Sequence, residues 1–153
     1  MVKSGGAQAG YDAMVVSEEL ITGHITGGLD GISAAASQTN KHVRFGLVEK
    51  GWSSVTDLRQ YCYFMMIAPN GDVKVFGPGD QYLAQIGGSG QYKNGDVFTV
   101  RVGSDHRVRV TQNGGTIYTF PSAAKLPLRA AATFYEIGSG IDAVSKTWTG
   151  AAR

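Results

Sequence analysis

Residues 97–118 read VFTVRVGSDHRVRVTQNGGTIY, and they alternate apolar with polar side chains on both sides of the loop at 103–106. A period of two is that of a β-strand with one buried face and one wet face. Asn113-Gly114 is the favoured pair for a two-residue type I′ turn, because both positions need positive φ. The stretch therefore predicts three antiparallel strands, in which the second turn pairs Thr111 with Thr116, Val110 with Ile117 and Arg109 with Tyr118.

The first turn of this stretch determines which side chains share a face. If Val102 faces Val108, then Val100 faces Val110 and Arg101 stands opposite Arg109. We expect one face to be core, formed by Phe98, Val100, Val102, Val108, Val110 and Ile117. We expect the other face to be wet, with Thr99, Arg101, Arg109, Thr111 and Tyr118.

The rest of the chain repeats this pattern of short apolar runs separated by glycine, asparagine and aspartate. Upstream of this stretch, another turn of the same type at Asn70-Gly71 predicts a hairpin that pairs Ala68 with Val73 and Met66 with Val75. Alanine and glutamate at 10–20 and 31–38 also permit helices, although neither segment has an apolar stripe at helical spacing. The candidate strands are 13–17, 20–26, 30–36, 42–49, 60–68, 72–77, 81–86, 97–103, 107–112, 116–120, 128–136 and 140–148. The expected fold is all-β: residues 11–150 form one two-sheet antiparallel β-sandwich of jelly-roll type, after a flexible N-terminal tail at 1–10.

Composition and charge exclude several classes of function. The chain has 153 residues, enough for one core, and a net charge of +2, too small to predict nucleic-acid binding. No apolar run reaches the length of a membrane span, so membrane insertion is not expected. The single cysteine, Cys62, has no partner for an internal disulfide and lies in an apolar run, which favours a buried thiol.

The order of strand and turn cues in residues 95–102, 108–119 and 127–135 resembles that of concanavalin A-like lectin/glucanase domains, and 43–47 and 70–73 extend the likeness upstream. The resemblance covers roughly residues 28–148 and implies a jelly-roll sandwich. It does not choose a function, because the family includes lectins, glycanases, adhesins, phage tail modules and structural domains. The metal-binding cluster of legume-type lectins and the Glu-x-Asp-x-x-Glu motif of glycanases are both missing from this sequence.

The residues do not predict catalysis, a metal site or a cofactor. Glycoside hydrolysis needs two converging carboxylates, whereas most of the 12 acidic residues lie in or beside turns. The adjacent pair Glu18-Glu19 would point to opposite faces of a strand. The three histidines lie on separate segments without ligand spacing. We therefore expect no enzyme activity, no catalytic residues, no bound metal and no cofactor.

Aromatic rings in loops are the first candidates for carbohydrate binding, because a sugar stacks its apolar face on such a ring. Trp52 lies in the polar segment Glu49 to Ser54, where no strand pattern accounts for a large ring. Tyr82 and Tyr92 lie on the glycine-rich stretch 77–95. The alternative is structural: Trp52 caps one end of the core, and the two tyrosines pack at an edge.

The arginines of the wet face are the second set of binding candidates. Arg101 and Arg109 stand opposite each other, which costs free energy unless another group offsets the charge. Tyr118 would provide a cation-π contact to Arg109. Arg44 and Arg129 would extend the stripe if their strands join the same sheet. The simpler interpretation is that these arginines are solvated side chains. The alternative is that they bind an acidic sugar, a sulfate or an acidic protein surface.

These observations favour a non-catalytic carbohydrate-binding, lectin-like or surface-adhesion module whose partner is a glycan or a cell-surface or extracellular protein. The alternative is a structural, self-assembling protein, for which the alanine-rich strand at 128–136 permits close approach and a homo-oligomer is expected. A glycoside hydrolase of the same fold is third. The first residues lack the apolar centre of a secretory signal, which does not place the protein inside the cell. An extracellular or surface-associated location is expected for such a module.

Overall fold

Eleven β-strands and one 3₁₀ turn make up the part of the chain that the computed structural model describes, residues 2, 4, 9–22, 28–51, 62–78, 81–86, 90–136, 138 and 140–148. In this part no helix is long and apolar enough to cross a membrane. The strands are β1 (Ala9–Val16), β2 (Leu29–Ala36), β3 (Val43–Glu49), β4 (Cys62–Ala68), β5 (Asp72–Gly77), β6 (Gln81–Ile86), β7 (Val97–Val102), β8 (Arg107–Gln112), β9 (Gly115–Ala123), β10 (Leu128–Glu136) and β11 (Ile141–Trp148).

The strands form two sheets, and every strand pair is antiparallel. The six-stranded sheet has the order β1-β10-β3-β4-β5-β6, and the five-stranded sheet has the order β11-β2-β7-β8-β9. Their inner faces enclose one apolar core. The predicted two-sheet antiparallel sandwich is confirmed.

The core follows from the alternation in each strand. Phe98, Val100 and Val102 of β7 are buried, as are Val108 and Val110 of β8. These are five of the six predicted core residues, and the sixth, Ile117, is partly buried against the same core. The six-stranded sheet contributes the facing layer, which includes Phe45, Leu47, Met65, Ile67, Val73, Val75 and Phe134.

The register of the β7–β8 pair agrees with the sequence, and that of the β8–β9 pair agrees only near its turn. Val102 faces Val108, Val100 faces Val110 and Arg101 faces Arg109, all as predicted. Thr111 also faces Thr116 as predicted. Beyond them a bulge inserts one extra residue in β9, so Val110 faces Tyr118 and Arg109 faces Thr119. The predicted pairs of Val110 with Ile117 and Arg109 with Tyr118 are therefore wrong.

The hairpin between β4 and β5 is shifted by one residue from its predicted register. Its turn contains Pro69, Asn70 and Gly71, and the last two have positive φ. Because the connection has three residues instead of two, Ala68 faces Asp72 and Met66 faces Lys74. The predicted pairs of Ala68 with Val73 and Met66 with Val75 are wrong for this reason.

Two further predictions change near the N-terminus. The predicted strand at 20–26 is represented by an isolated bridge between Ile21 and Leu128, and residues 23–27 lie outside the described part. β1 begins at Ala9, inside the predicted tail. The segments at 10–20 and 31–38, where the sequence also permits helices, are strand over residues 10–16 and 31–36, which belong to β1 and β2.

The outer face of the six-stranded sheet is buried over its centre. Val48, Phe64 and Ala131 form a second apolar cluster there, and Val16 and Phe76 pack against it. Thr133 on the same face is fully buried as well. This face offers little to solvent at its centre, so a solvent-facing sheet surface must be sought on the other sheet.

Gly46 of β3, in the six-stranded sheet, has no room for a side chain. A Cβ there would collide with the backbone carbonyl oxygen of Tyr63 on β4, and backbone cannot turn aside as a side chain can. We expect Gly46→Ala to lower the free energy of unfolding by about 1–3 kcal/mol, as overpacking does. Chemical denaturation measures this. Gly115→Ala is the control, because its Cβ would have only an ordinary contact at 3.7 Å. Equal stability of the two variants would contradict the close approach.

Candidate functional site

A row of hydroxyl side chains crosses all five strands of the five-stranded sheet on its outer face. Ser145 faces Ser33, Ser33 faces Thr99, Thr99 faces Thr111 and Thr111 faces Thr116. Neighbouring strands lie about 4.8 Å apart, so this hydroxyl row spans roughly 19 Å. None of its five side chains is fully buried. The row is therefore a flat, polar strip open to solvent.

The two predicted arginines lie in the next row of the same face, where Gly31 faces Arg101 and Arg101 faces Arg109. Arg101 donates to the buried carboxylate of Asp30 at 2.5 Å, and Thr147 donates to the other oxygen of that carboxylate. Asp30 is only 1% exposed. A Cβ on Gly31 would lie 2.6 Å from the Cβ of Arg101. Only a glycine at this position leaves room for the arginine side chain next to β2.

Arg109 has an acidic partner of its own. It donates two parallel hydrogen bonds to Asp105, at 2.7 and 2.6 Å, across the loop between β7 and β8. These bonds, with one from the backbone N–H of Arg107, hold the pKa of Asp105 well below its ordinary value. The hydrogen bonds to Asp105 also raise the pKa of Arg109. The predicted repulsion between Arg101 and Arg109 is thus offset by one carboxylate for each guanidinium.

An open depression of about 360 Å³ brings these groups together at the β7–β8 end of the face. We call it the arginine depression, and it overlaps the hydroxyl row at Thr111 and Thr116. It is lined by Asp30, Arg101, Val102, Gly103, Ser104, Arg109, Thr111 and Thr116. The structure thus unites two of the six predicted binding residues and adds the hydroxyls beside them.

A clamp around Asp96 holds the strands that carry this face. Its carboxylate, mostly buried, accepts hydrogen bonds from the Asn113 and Gln112 amides and from the backbone N–H of Lys93. Asn113 in turn accepts from the backbone N–H of Val97 at 2.9 Å. The β8–β9 turn is therefore fastened to the start of β7. Sequence reasoning assigned Asp96 only to turn chemistry.

Two of the predicted aromatic candidates pack on the core side of the sandwich. Tyr92 is 3% exposed, and its hydroxyl donates to the carbonyl of Ala68 at 2.9 Å. Burial, with a smaller contribution from Asp72, raises its pKa to about 12. Tyr118 faces Val110 on the core side and meets Phe120 edge-on at 5.1 Å. Tyr92 is closed to a ligand, whereas Tyr118 is partly buried. The bulge in β9 puts Tyr118 on the opposite face from Arg109, so the predicted cation-π contact is wrong.

The remaining candidates lie away from the depression or outside the described residues. Tyr82 on edge strand β6 is 52% exposed and packs edge-on against Phe76. Trp52 lies outside the described residues. Arg44 and Arg129 belong to the six-stranded sheet and do not extend the stripe: Arg44 lies 4.7 Å from the ring centre of Phe76, and Arg129 donates to the carbonyls of Ser17 and Glu18.

The part of the chain that the structure describes holds no group of three or more histidine, cysteine, aspartate or glutamate side chains placed to bind a metal. The chemistry available at the depression is hydrogen bonding. Guanidinium groups donate, carboxylates accept and hydroxyls do both. Such a mixed set suits a polar, uncharged or weakly charged ligand.

The architecture defines a two-sheet sandwich of the concanavalin A-like class, as the sequence predicts. The carbohydrate recognition domain of Emp46p in its potassium-bound form is similar, with a TM-score of 0.57, 8% identity, and coverage of 82% of this chain and 71% of that chain. The SPRY domain of human HERC1 is also similar, with a TM-score of 0.58, 12% identity, and coverage of 94% and 86%. At these identities the likeness shows the fold alone. No family model and no curated protein matches the sequence.

The carboxylate of Asp96 makes the stability of the fold depend on pH in a defined direction, and its substitution removes that dependence. Burial raises the pKa of Asp96, but the hydrogen bonds from Asn113, Lys93 and Gln112 outweigh it and the net pKa is lowered. A lowered pKa stabilises the fold above the ordinary aspartate value, and this stabilisation is lost as the pH falls through the folded pKa. We expect Asp96→Asn to cost about 1–3 kcal/mol at neutral pH and to flatten the acid side of the stability profile.

Denaturation at a series of pH values measures the effect. Asp142→Asn is the control, because that carboxylate is exposed on β11. If both variants keep the same acid profile as the parent protein, the clamp does not hold the sheet.

Proposed function

We propose that this chain is a non-catalytic carbohydrate-binding module that recognises a glycan through the arginine depression. The observation that carries the proposal is the meeting of Arg101, Arg109, Thr111 and Thr116 in one solvent-open depression. Each sugar hydroxyl both donates and accepts a hydrogen bond. The depression supplies both kinds of partner side by side, as specific polar sites do.

The arginines keep donors for a ligand although each already has a carboxylate partner. A guanidinium group has five N–H donors in a fixed plane. Arg101 uses its Nη2 and Arg109 its two terminal nitrogens in the bonds described above. Arg109 also donates from Nη1 to the carbonyl of Arg107. The two side chains are 41% and 32% exposed, so each arginine keeps further N–H donors on a partly exposed side chain. The carboxylates then serve to hold the guanidinium planes in position.

The fold supports the proposal at the level of class, since one of the similar structures is a carbohydrate recognition domain. We extend it to an extracellular or surface-associated location, where such a module would bind a glycan or a glycan-bearing surface and act in adhesion. The non-catalytic part of the proposal is supported by the carboxylates next to the arginines: Asp30 and Asp105 are each held by a guanidinium group, whereas glycoside hydrolysis needs two carboxylates that converge on the substrate.

Self-assembly is the second candidate, and one feature favours it. An apolar depression of about 190 Å³ lies between the sheets at the β10–β11 side, lined by Ala130, Ala131 and Ala132 with Val144 and Ile32. Val144 is among the exposed large apolar residues. An edge of a second copy would cover this surface, whereas a glycan would not need it.

A glycan array probed with the purified protein, paired with its mass in solution, separates the two candidates. A defined set of bound glycans supports the module. A blank array with a stable oligomer supports self-assembly and contradicts the glycan proposal.

Substitution of the arginines tests whether the glycan site lies at the arginine depression. We expect Arg101→Ala and Arg109→Ala each to weaken binding of an array hit by about tenfold or more, because a hydrogen bond from a charged donor contributes about 1.5–3 kcal/mol. Titration calorimetry measures this. Arg107→Ala is the matched control: Arg107 is exposed on the same strand, carries the same charge and does not line the depression.

Two results would contradict the proposed location. Equal weakening by all three substitutions would mean that binding follows net charge. Full binding by all three, with loss of binding in Trp52→Ala or Tyr82→Ala, would move the site to the aromatic candidates.

A further inference from the structure

We infer that the ligand of this face is an uncharged, extended oligosaccharide that lies along the hydroxyl row, an inference that rests on the proposed function. The arginine depression is one end of this binding strip, because Thr111 and Thr116 belong to both. The rest of the strip continues through Thr99 and Ser33 to Ser145 on the opposite edge strand.

The charge of the face favours an uncharged ligand. Arg101 is paired with the buried Asp30, and Arg109 is paired with Asp105 beside the depression, so each guanidinium charge is matched by one carboxylate. The two ion pairs carry no net charge, so the attraction of an acidic sugar or a sulfate to the arginines would be largely cancelled. A sugar hydroxyl needs no net charge, because it can accept from a guanidinium group and donate to the hydroxyl of Thr111 or Thr116.

The shape of the face favours an extended ligand. The row spans roughly 19 Å, a length comparable with that of about four sugars in an extended chain. Its members are serine and threonine, and Gly31 and Ala35 lie in the neighbouring rows of β2. No described side chain in the row is long enough to divide the strip into separate pockets. A single sugar would touch only part of it.

The hydroxyls are available to such a ligand. Thr99 donates to Ser33 at 3.2 Å, which leaves acceptor capacity on both oxygens and the Ser33 proton for a further bond. In the described part of the chain the side chains of Thr111 and Thr116 have no hydrogen-bonded partner. No aromatic ring belongs to the row, so we expect many weak hydrogen bonds, and affinity that accumulates with ligand length.

Oligosaccharides matched in length and different in charge test the inference. The probes are gluco-, manno- and xylo-oligosaccharides from the monosaccharide to the hexasaccharide, with hexasaccharides of galacturonate and of hyaluronan as acidic counterparts. For the neutral series that binds, we expect affinity to rise at least tenfold from the monosaccharide to about the tetrasaccharide and then to level off. We expect the acidic hexasaccharides to bind at least tenfold more weakly, and salt to change the neutral affinity less than about twofold.

Isosteric substitutions separate the strip from the depression. Thr99→Val removes a hydroxyl from the middle of the row with little change of shape. It should weaken hexasaccharide binding by about three- to tenfold and leave the binding of a disaccharide at the depression unchanged. Thr133→Val is the control: this hydroxyl lies buried on the other sheet and has no hydrogen-bonded partner among the described residues, so its loss should change neither binding nor folding.

The outcomes distinguish this inference from the proposed function. Binding of acidic oligosaccharides alone, or equal affinity for a monosaccharide and a hexasaccharide, would overturn the extended, uncharged ligand while the carbohydrate-binding module stands. Equal effects of Thr99→Val and Thr133→Val would remove the hydroxyl row from the site. Failure of every saccharide, acidic and neutral, would contradict the proposed function itself.

Discussion

The contact between Val100 and Val110 across β7 and β8 is the constraint on which the outer face of the five-stranded sheet, the proposed binding face, depends. Both side chains are fully buried in the core between the sheets. Because successive residues of a strand point to opposite faces, burying this pair forces Thr99, Arg101, Arg109 and Thr111 outward together. A slip of one residue would place arginines in the core, so the apolar packing that stabilises the sandwich also determines the composition of its wet face.

Glycine and aspartate then adapt this face to two arginines on neighbouring strands. Gly31 provides the space beside Arg101, and Gly103 provides it beside the guanidinium of Arg109, where a Cβ would collide with Nη1. Asp30 and Asp105 neutralise the two charges from opposite sides. Neither carboxylate lies in the β7–β8 ladder. The alternation of those two strands therefore predicted the repulsion between the arginines but not the carboxylates that offset it.

Prediction from sequence succeeded where one short-range rule determined the geometry. The short loop at 103–106 and the alternation on both sides of it were enough for the β7–β8 register, the core face and the position of Arg101 and Arg109 on one surface. It failed where one inserted residue changed the register. The bulge in β9 turned Tyr118 inward, and the three-residue turn at Pro69–Gly71 shifted the β4–β5 hairpin by one.

Long-range pairing was the other source of error. Tyr92 lies in a glycine-rich segment that looks exposed, yet its ring packs edge-on against Phe98 and its hydroxyl bonds to the carbonyl of Ala68. Long-range pairing also explains why the hydroxyl row was missed. Ser33 and Ser145 come from strands far from β7 in sequence, and only the sheet order β11-β2-β7-β8-β9 aligns them with Thr99 and Thr111.

The two outer faces of the sandwich differ in what they can bind. At the six-stranded sheet, apolar side chains such as Phe64 and Val48 are already buried. At the five-stranded sheet, the hydroxyls of Thr111 and Thr116 have no hydrogen-bonded partner among the described residues and are left to bind water. An apolar protein surface laid over them would remove that water without replacing its hydrogen bonds, at a cost of about 1–3 kcal/mol for each group left unpaired. A hydroxylated ligand replaces the bonds that it displaces. The face therefore disfavours an apolar interface between copies of the chain and suits a carbohydrate.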